Sequence, residues 1–373
     1  MARTPEPVDI PEPDSLEGFP HPRETEILYG HQQAEDALRQ AFMAGRLHHA
    51  WLVTGPAGIG KATLAYRFAR FLLKYGDPRV AEGTGVSTLH VPPEDPVFRR
   101  IAARGHANVL TLRKPWDDRA KKFKTVLTVD EVRRTSAFFG MKAGEGGWRI
   151  CIVDTADDMN ANAANALLKV LEEPPAQTVF MVLANHPGRL LPTIRSRCRQ
   201  LPLTPLSHDQ LLSAVHGHLG DMADGDMEAI ARLAQGSVGR ALLLAGGGGL
   251  ELYRELFTVM SSLPRPDIPA IHALADKLAR RGADQSYAMF RELLSDWLVR
   301  MVRQAAGGPA MTDEVIAGEA DVMNRLAAGA PLDRWVEVWE NTARNAERAD
   351  ALNLDRKQVI LGTFAALETA ARG

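Results

Sequence analysis

Seven consecutive residues, Gly55-Pro56-Ala57-Gly58-Ile59-Gly60-Lys61, constrain this chain more than any others. The short apolar run from His49 to Thr54 precedes them, and helical spacing begins at Lys61 and continues to Leu73. A glycine turn between a buried strand and a helix has the Gly-x-x-x-x-Gly-Lys form of a phosphate loop. Its glycines let backbone N–H groups converge on phosphate oxygens, and the lysine adds a positive charge. The positive end of the following helix points at the same spot. Gly55, Gly58, Gly60 and Lys61 are therefore candidate nucleotide-binding residues.

The surrounding pattern supplies the sheet that such a loop needs. Strands are predicted at 109–112, 148–154, 178–184 and 200–203, and helices at 32–44, 129–139 and 160–171, on apolar periodicity. Strands alternating with helices imply a parallel sheet covered on both faces. Residues 75–108 hold Pro92, Pro93 and Pro96 and little periodic pattern, so a long irregular excursion is expected there. From Ser207 the pattern is purely helical, with a glycine break at 246–249. The expected organisation is a leader at 1–24, an α/β domain at 25–205, a small helical domain at 206–249 and a larger all-α domain at 250–373. The leader is rich in Pro, Glu and Asp and is expected to be mobile.

Composition narrows the function classes. A net charge of −2 argues against a strongly basic nucleic-acid sleeve, although it says nothing about local patches. The two cysteines, Cys151 and Cys198, form no Cys-x-x-Cys pair, which excludes a cysteine-based zinc module and a disulfide framework. No apolar run of about 18 residues suggests a membrane span, and no signal-peptide core opens the chain. A cytoplasmic protein with no membrane partner is expected.

The phosphate loop lacks parts that catalysis needs. The residue after the lysine is Ala62, where a Ser or Thr hydroxyl would hold magnesium. Thr63 is the nearest hydroxyl and is kept as a candidate nucleotide contact, but one helical step turns it by about 100°. Asp154 ends the strand at 148–154 and is placed to hold a metal's water shell. Thr155 follows it and cannot act as a base at neutral pH, while Asp157 and Asp158 are expected to begin the next helix. ATP could be bound through the backbone and Lys61, with magnesium held weakly or not at all and hydrolysis weak or absent.

Several segments in order then resemble the bacterial clamp-loader family of AAA+ proteins. They are Tyr29-Gly30-His31-Gln32, the Gly45 to Ala50 lead-in, the stretch from Asn162 to Pro175, Thr193-Ile194-Arg195-Ser196-Arg197-Cys198, and Gly236-Ser237-Val238-Gly239-Arg240-Ala241. The resemblance covers roughly residues 29–245. It implies a P-loop AAA+ parallel-sheet domain, a helical lid and an all-α collar, working in a five-subunit spiral of the DNA polymerase III holoenzyme. The implied partners are the other loader subunits (the gamma/tau motors and delta), the ring-shaped sliding clamp, and primed DNA as part of the complex. Many relatives carry a zinc module in the region of 75–104, and this chain has no cysteine there.

The same resemblance assigns residues. Arg197 of the Ser-Arg-Cys segment would reach in trans into a neighbour's ATP site, where an arginine is worth about 10³–10⁵ in rate. The residues alone leave another reading open, because Arg195, Arg197 and Arg199 could share one solvated face of an extended strand. Asn185 stands at a first-sensor position or simply caps a loop before Pro187. Arg240 stands at a second-sensor position or is an exposed helical arginine. Ala62 and Thr155 favour a stator over an ATP-hydrolysing motor subunit of the same loader. The basic segment from Arg113 to Lys124, with Trp116 and Phe123, reads as a partner or DNA contact or as a solvated loop.

Overall fold

The computed structural model describes residues 12–373 apart from 14, 17, 141–146, 221, 308–313 and 353. Five strands form one parallel sheet: β1 Ala50–Thr54, β2 Val109–Leu112, β3 Arg149–Val153, β4 Thr178–Ala184 and β5 Arg199–Pro202. Their order is β2-β3-β4-β1-β5, so the chain crosses over at β1 and places later strands on both sides of it. This is the α/β sheet expected of a P-loop AAA+ domain. Register follows the pleat: Ala50 lies opposite Phe180 and Thr54 opposite Ala184, while Arg149 lies opposite Thr178.

The inner strands β1, β3 and β4 are buried on both faces because both faces are covered. Val179, Met181 and Leu183 of β4 join Trp51 and Val53 in a core with helices α1 (Gln32–Met43) and α2 (Lys61–Tyr75). Phe180, Val182 and Ala184 point the other way, into a core with α5 (Val129–Gly140) and α6 (Ala161–Glu172). Cys151 and Cys198 are free thiols in this second core, and burial pushes the Cys198 thiol up to about 12. They are packing residues.

The stretch from 75 to 108 is more regular than expected. It contains α3 (Pro78–Gly83) and α4 (Pro96–Ala102). Each begins with Asp-Pro: Asp77 accepts from the Arg79 N–H at 2.7 Å, and Asp95 from the Val97 N–H at 2.8 Å. Aspartate as N-cap with proline in the first turn is a start signal that the scarcity of periodic residues conceals. A second difference is α7, Pro192–Arg197, which replaces the extended reading of the arginine segment.

Two compact units emerge, one of Met1–Ala214 with Gln235–Arg240 and one of Val215–Ala234 with Ala241–Gly373. The segment at 206–249 is thus shared between them. Its turn at 235–240 stays with the sheet because Leu206 N–H donates to the Gly236 carbonyl at 3.0 Å and the residues beyond bind the phosphate loop. Of the 1–24 leader, residues 1–11, 14 and 17 lie outside the described residues. Glu12 is tied to Arg23 at 2.5 Å, Arg104 at 2.6 Å and His21 at 2.8 Å.

The second unit is all-helical. Its longest helices are α8 (Asp284–Ala305), α9 (Leu332–Leu352) and α10 (Arg356–Arg372), packed on Trp297, Trp335 and Phe364. Buried Glu319 is matched by Arg300 at 2.8 Å and by the Val315 N–H at 3.1 Å. Among the described residues no helix is long and apolar enough to cross a membrane.

The sheet depends on its central strand. Phe180 is fully buried and its ring lies 5.3 Å from that of Phe139. Phe180→Ala is expected to cost about 3–5 kcal/mol by cavity formation, read as a fall in the denaturation midpoint at unchanged m-value.

Candidate functional site

The C-terminal ends of three adjacent strands converge. β1 runs into the phosphate loop, β4 into Asn185 and β3 into Asp154. Ligands of open parallel sheets bind at this edge, where the strand order reverses. Gly55, Gly58 and Gly60 have φ of 144°, 75° and 107°, a region that residues with a Cβ rarely adopt.

Those torsions turn the loop's carbonyls outward, and each finds a donor. The Lys61 ammonium donates to the Gly55 carbonyl at 2.7 Å and to the Pro56 carbonyl at 2.5 Å. Ser237 Oγ donates to the Ala57 carbonyl at 2.9 Å, and the Gly239 N–H to the Gly58 carbonyl at 2.8 Å. His31 Nε2 donates to the Ile59 carbonyl at 2.7 Å. The N–H groups of residues 57–61 consequently find no acceptor among the described residues. Successive unpaired N–H groups at a helix start are a nest for an anion. Lys61 is buried there, and burial lowers its ammonium to about 8 against the opposing pull of Asp154 and Asp157.

The remaining candidates fall into place around this loop. Ala62 packs its methyl against the core of α1 and α2, and no hydroxyl stands in its place. Thr63 is half-buried on α2, one position farther on. Asp154 follows β3, with its N–H bonded to the Leu112 carbonyl at 2.8 Å. The Thr155 hydroxyl donates to Asp158 Oδ2 at 2.7 Å, so it is engaged as well as non-basic. Arg240 comes to the loop by its backbone: a Cβ on Gly58 would lie 3.2 Å from the Arg240 nitrogen and 2.5 Å from Ser237 Oγ. Beside Tyr29 and Gly30 an open cleft of about 270 Å³ continues to Asp209, Gln210 and Ser213.

Asp157 departs from expectation. It lies in the 3₁₀ turn Ala156–Asp158, and α6 starts only at Ala161, capped by Asn160, whose side chain accepts from the Ala163 N–H at 2.9 Å. The Asp157 carboxylate instead accepts from the backbone N–H of Asn185 at 3.0 Å and of His186 at 3.1 Å. It thereby fixes the turn after β4, where the Asn185 side chain makes no hydrogen bond among the described residues. Asp157, Ser237 and His31 shape the site, and sequence spacing marked none of them for this role.

Arg197 is engaged elsewhere. From α7 its guanidinium reaches Glu172 at 2.7 Å and the Thr193 carbonyl at 3.1 Å, and the side chain is about one-third exposed. Arg195 and Arg197 lie two apart on a helix, so they diverge, while Arg199 on β5 sits over the Trp51 ring at 4.8 Å. The three do not form one face.

The family described as "DNA polymerase III, delta subunit" matches residues 30–207. The DNA polymerase III subunit delta' of Pseudomonas aeruginosa is 33% identical over 259 residues, which are 68% of this chain and 72% of that protein. The chain belongs to the DNA polymerase III delta-prime family. The Escherichia coli delta' subunit is 32% identical over 62% of this chain and 65% of its own length. The gamma/tau subunit of Mycobacterium tuberculosis is also 32% identical, but over 53% of this chain and 32% of its own length. Family membership thus extends well past the phosphate loop.

The approach of Gly58 to Ser237 and Gly239 yields a direct test. Gly58→Ala adds a methyl at a positive φ and against two backbone neighbours, with an expected cost of about 2 kcal/mol or more. Gly188→Ala, which meets nothing within 4 Å, is expected to change stability by less than about 0.5 kcal/mol. Thermal unfolding of both variants measures the difference; equal midpoints would contradict the packing described.

Proposed function

We propose that this chain is the stator of a clamp loader: it holds a nucleotide site that does not turn over and lends Arg197 to a neighbouring ATPase subunit. The observation that carries the reading is the pairing of a complete anion nest with missing catalytic parts. The nest and Lys61 would hold the phosphates of ATP, Asp154 would face a metal, and Asn185 and Arg240 would border the nucleotide. The cleft beside Tyr29 offers room on the base side. Ala62 leaves magnesium without its hydroxyl ligand, and Thr155 supplies no base to the attacking water. A bound ATP would furnish binding energy and a conformational signal in this subunit, with the chemistry occurring next door.

Arg197 suits the role because it is restrained only by a partly exposed ion pair and one exposed hydrogen bond to the Thr193 carbonyl. Such a pair is worth about 0–1 kcal/mol, so a neighbour's phosphate can replace Glu172. Arginine's planar fork grips two oxygens at once, which lysine cannot do. The partners are the gamma/tau and delta subunits, with the sliding clamp and primed DNA met in the assembled cytoplasmic complex. A motor role is disfavoured by Ala62 and Thr155 together.

The deciding experiment is the DNA- and clamp-stimulated ATPase of the reconstituted loader. Arg197→Ala is expected to lower turnover at the served site by about 10³-fold or more, with Lys61→Ala nearly silent. The reverse pattern would make this chain a motor.

Nucleotide binding carries a pH signature. Burial favours the neutral amine, so the folded Lys61 binds fewer protons than the unfolded one between about pH 8 and 10.5. The stability cost of that buried charge is therefore full below about pH 8 and lifts as pH rises above it. A bound anion favours the ammonium, so affinity for an ATP analogue is expected to be highest below pH 8 and to fall as pH rises through about 8. Fluorescence titrations from pH 7 to 9.5 measure it, and an unchanged Kd would refute the contact.

A further inference from the structure

Between β2 and α5 the chain forms a small antiparallel hairpin that the phosphate-loop site does not use. Trp116 pairs with Phe123 and Asp117 with Lys122, and the Lys124 N–H closes the stem on the Pro115 carbonyl at 2.9 Å. The Trp116 and Phe123 rings meet edge to face at 5.0 Å. Asp117 accepts from the Arg119 and Ala120 N–H groups, each at 3.0 Å, which sets the turn and holds its carboxyl below the usual range. The base is anchored as well: Arg113 is bonded to Glu12, and Lys114 to Asp158 at 2.9 Å. The hairpin is a placed element and not a solvated tether.

Its charges are one-sided. Residues 113–124 carry six Lys or Arg against two Asp, +4 within a chain of net −2. Asp117 lies opposite Lys122 and its carboxylate also attracts Lys124, so it offsets one charge of the tip and leaves the excess positive. Asp117 is fixed in place by the turn, and among the described residues Asp118 forms an ion pair only with Lys121, at 3.9 Å. Arg119, Lys122 and Lys124 are exposed and form no ion pair among the described residues. Lys122 and Lys124 flank half-buried Phe123, so they share the face opposite the aromatic pair, with Cα atoms about 7 Å apart. Two cations held at that spacing can neutralise separate phosphates of a nucleic-acid backbone.

We infer that this hairpin is a docking surface for the DNA phosphate backbone, through Arg119, Lys122 and Lys124. The inference rests on the reading that the chain works in a clamp loader on primed DNA. A protein partner fits less well, because lysine is depleted at protein–protein interfaces, whereas lysine and arginine supply phosphate contacts. The contact is independent of base sequence, since the cations address the backbone alone. It adds affinity and salt dependence, not sequence selection.

The test measures affinity of the reconstituted loader for duplex and for single-stranded DNA by anisotropy, from 50 to 200 mM salt. The loader carries either the wild-type chain or one with Arg119→Gln, Lys122→Gln and Lys124→Gln together. These side chains are exposed and support no packing, so thermal unfolding of the variant should match wild type. Removing three phosphate contacts is expected to make the slope of log K against log salt shallower by about 2.7 on duplex DNA, or about 2 on a single strand. The arm that changes identifies the form of DNA held. An unchanged slope on both overturns the proposal, and so does loss of assembly or of clamp binding with DNA affinity intact, which would make the hairpin a protein contact. Failure of the wild-type chain to assemble with loader subunits would overturn the stator reading along with it. An unchanged slope in a complex whose ATPase still needs Arg197 would overturn the hairpin contact alone.

Discussion

Five successive carbonyls, from Gly55 to Ile59, are each bonded to a donor, two to the loop's own Lys61 and three to residues remote in sequence, and the rest of the site follows from that constraint. Carbonyls engaged in this way leave the N–H groups of residues 57–61 without an acceptor among the described residues. The donors come from Lys61, His31, Ser237 and Gly239, three of them remote in sequence from the loop. The loop is thus held by the segment before α1 and by the turn at 235–240, as well as by β1 and α2. A glycine at position 58 is required because Ser237 and Gly239 press on it from the far side. The unpaired loop N–H groups and the docking of that turn are two aspects of one backbone conformation.

The polar groups beside the loop are as specifically committed as the loop itself. A methyl occupies position 62, and the hydroxyl of Thr155 is tied to Asp158, which is itself paired with Lys114. Asp157 is committed to the turn after β4. In the turn after β3, Asp157 and Asp158 therefore both have a structural use among the described residues. Arg197, by contrast, rests on a partly exposed partner from which it can be drawn at small cost.

Much of this was legible in the sequence, for physical reasons. The strand at 178–184 is a fully buried, almost continuous apolar run, that at 109–112 a short mostly apolar one, and the limits of both match the structure residue for residue. The phosphate loop was legible because its glycines are dictated by backbone geometry. The arginine segment was not: residues two apart suggest a strand, but Pro192 starts a short helix and carries Arg195 and Arg197 with it. The two helices between 75 and 102 begin at Asp-Pro pairs and contribute too few buried residues to show periodicity. The roles of Asp157, Ser237 and His31 were not legible because they act on backbone groups distant in sequence, and side-chain spacing carries no record of such partners.

The account turns on where the Arg197 guanidinium goes when the complex assembles. A structure of the loader with a non-hydrolysable ATP analogue measures this directly. The account predicts that Arg197 leaves Glu172 and lies within hydrogen-bond distance of the γ-phosphate held by the adjacent subunit. Arg197 still paired to Glu172, with the neighbour's γ-phosphate bound by that neighbour's own residues, would contradict it.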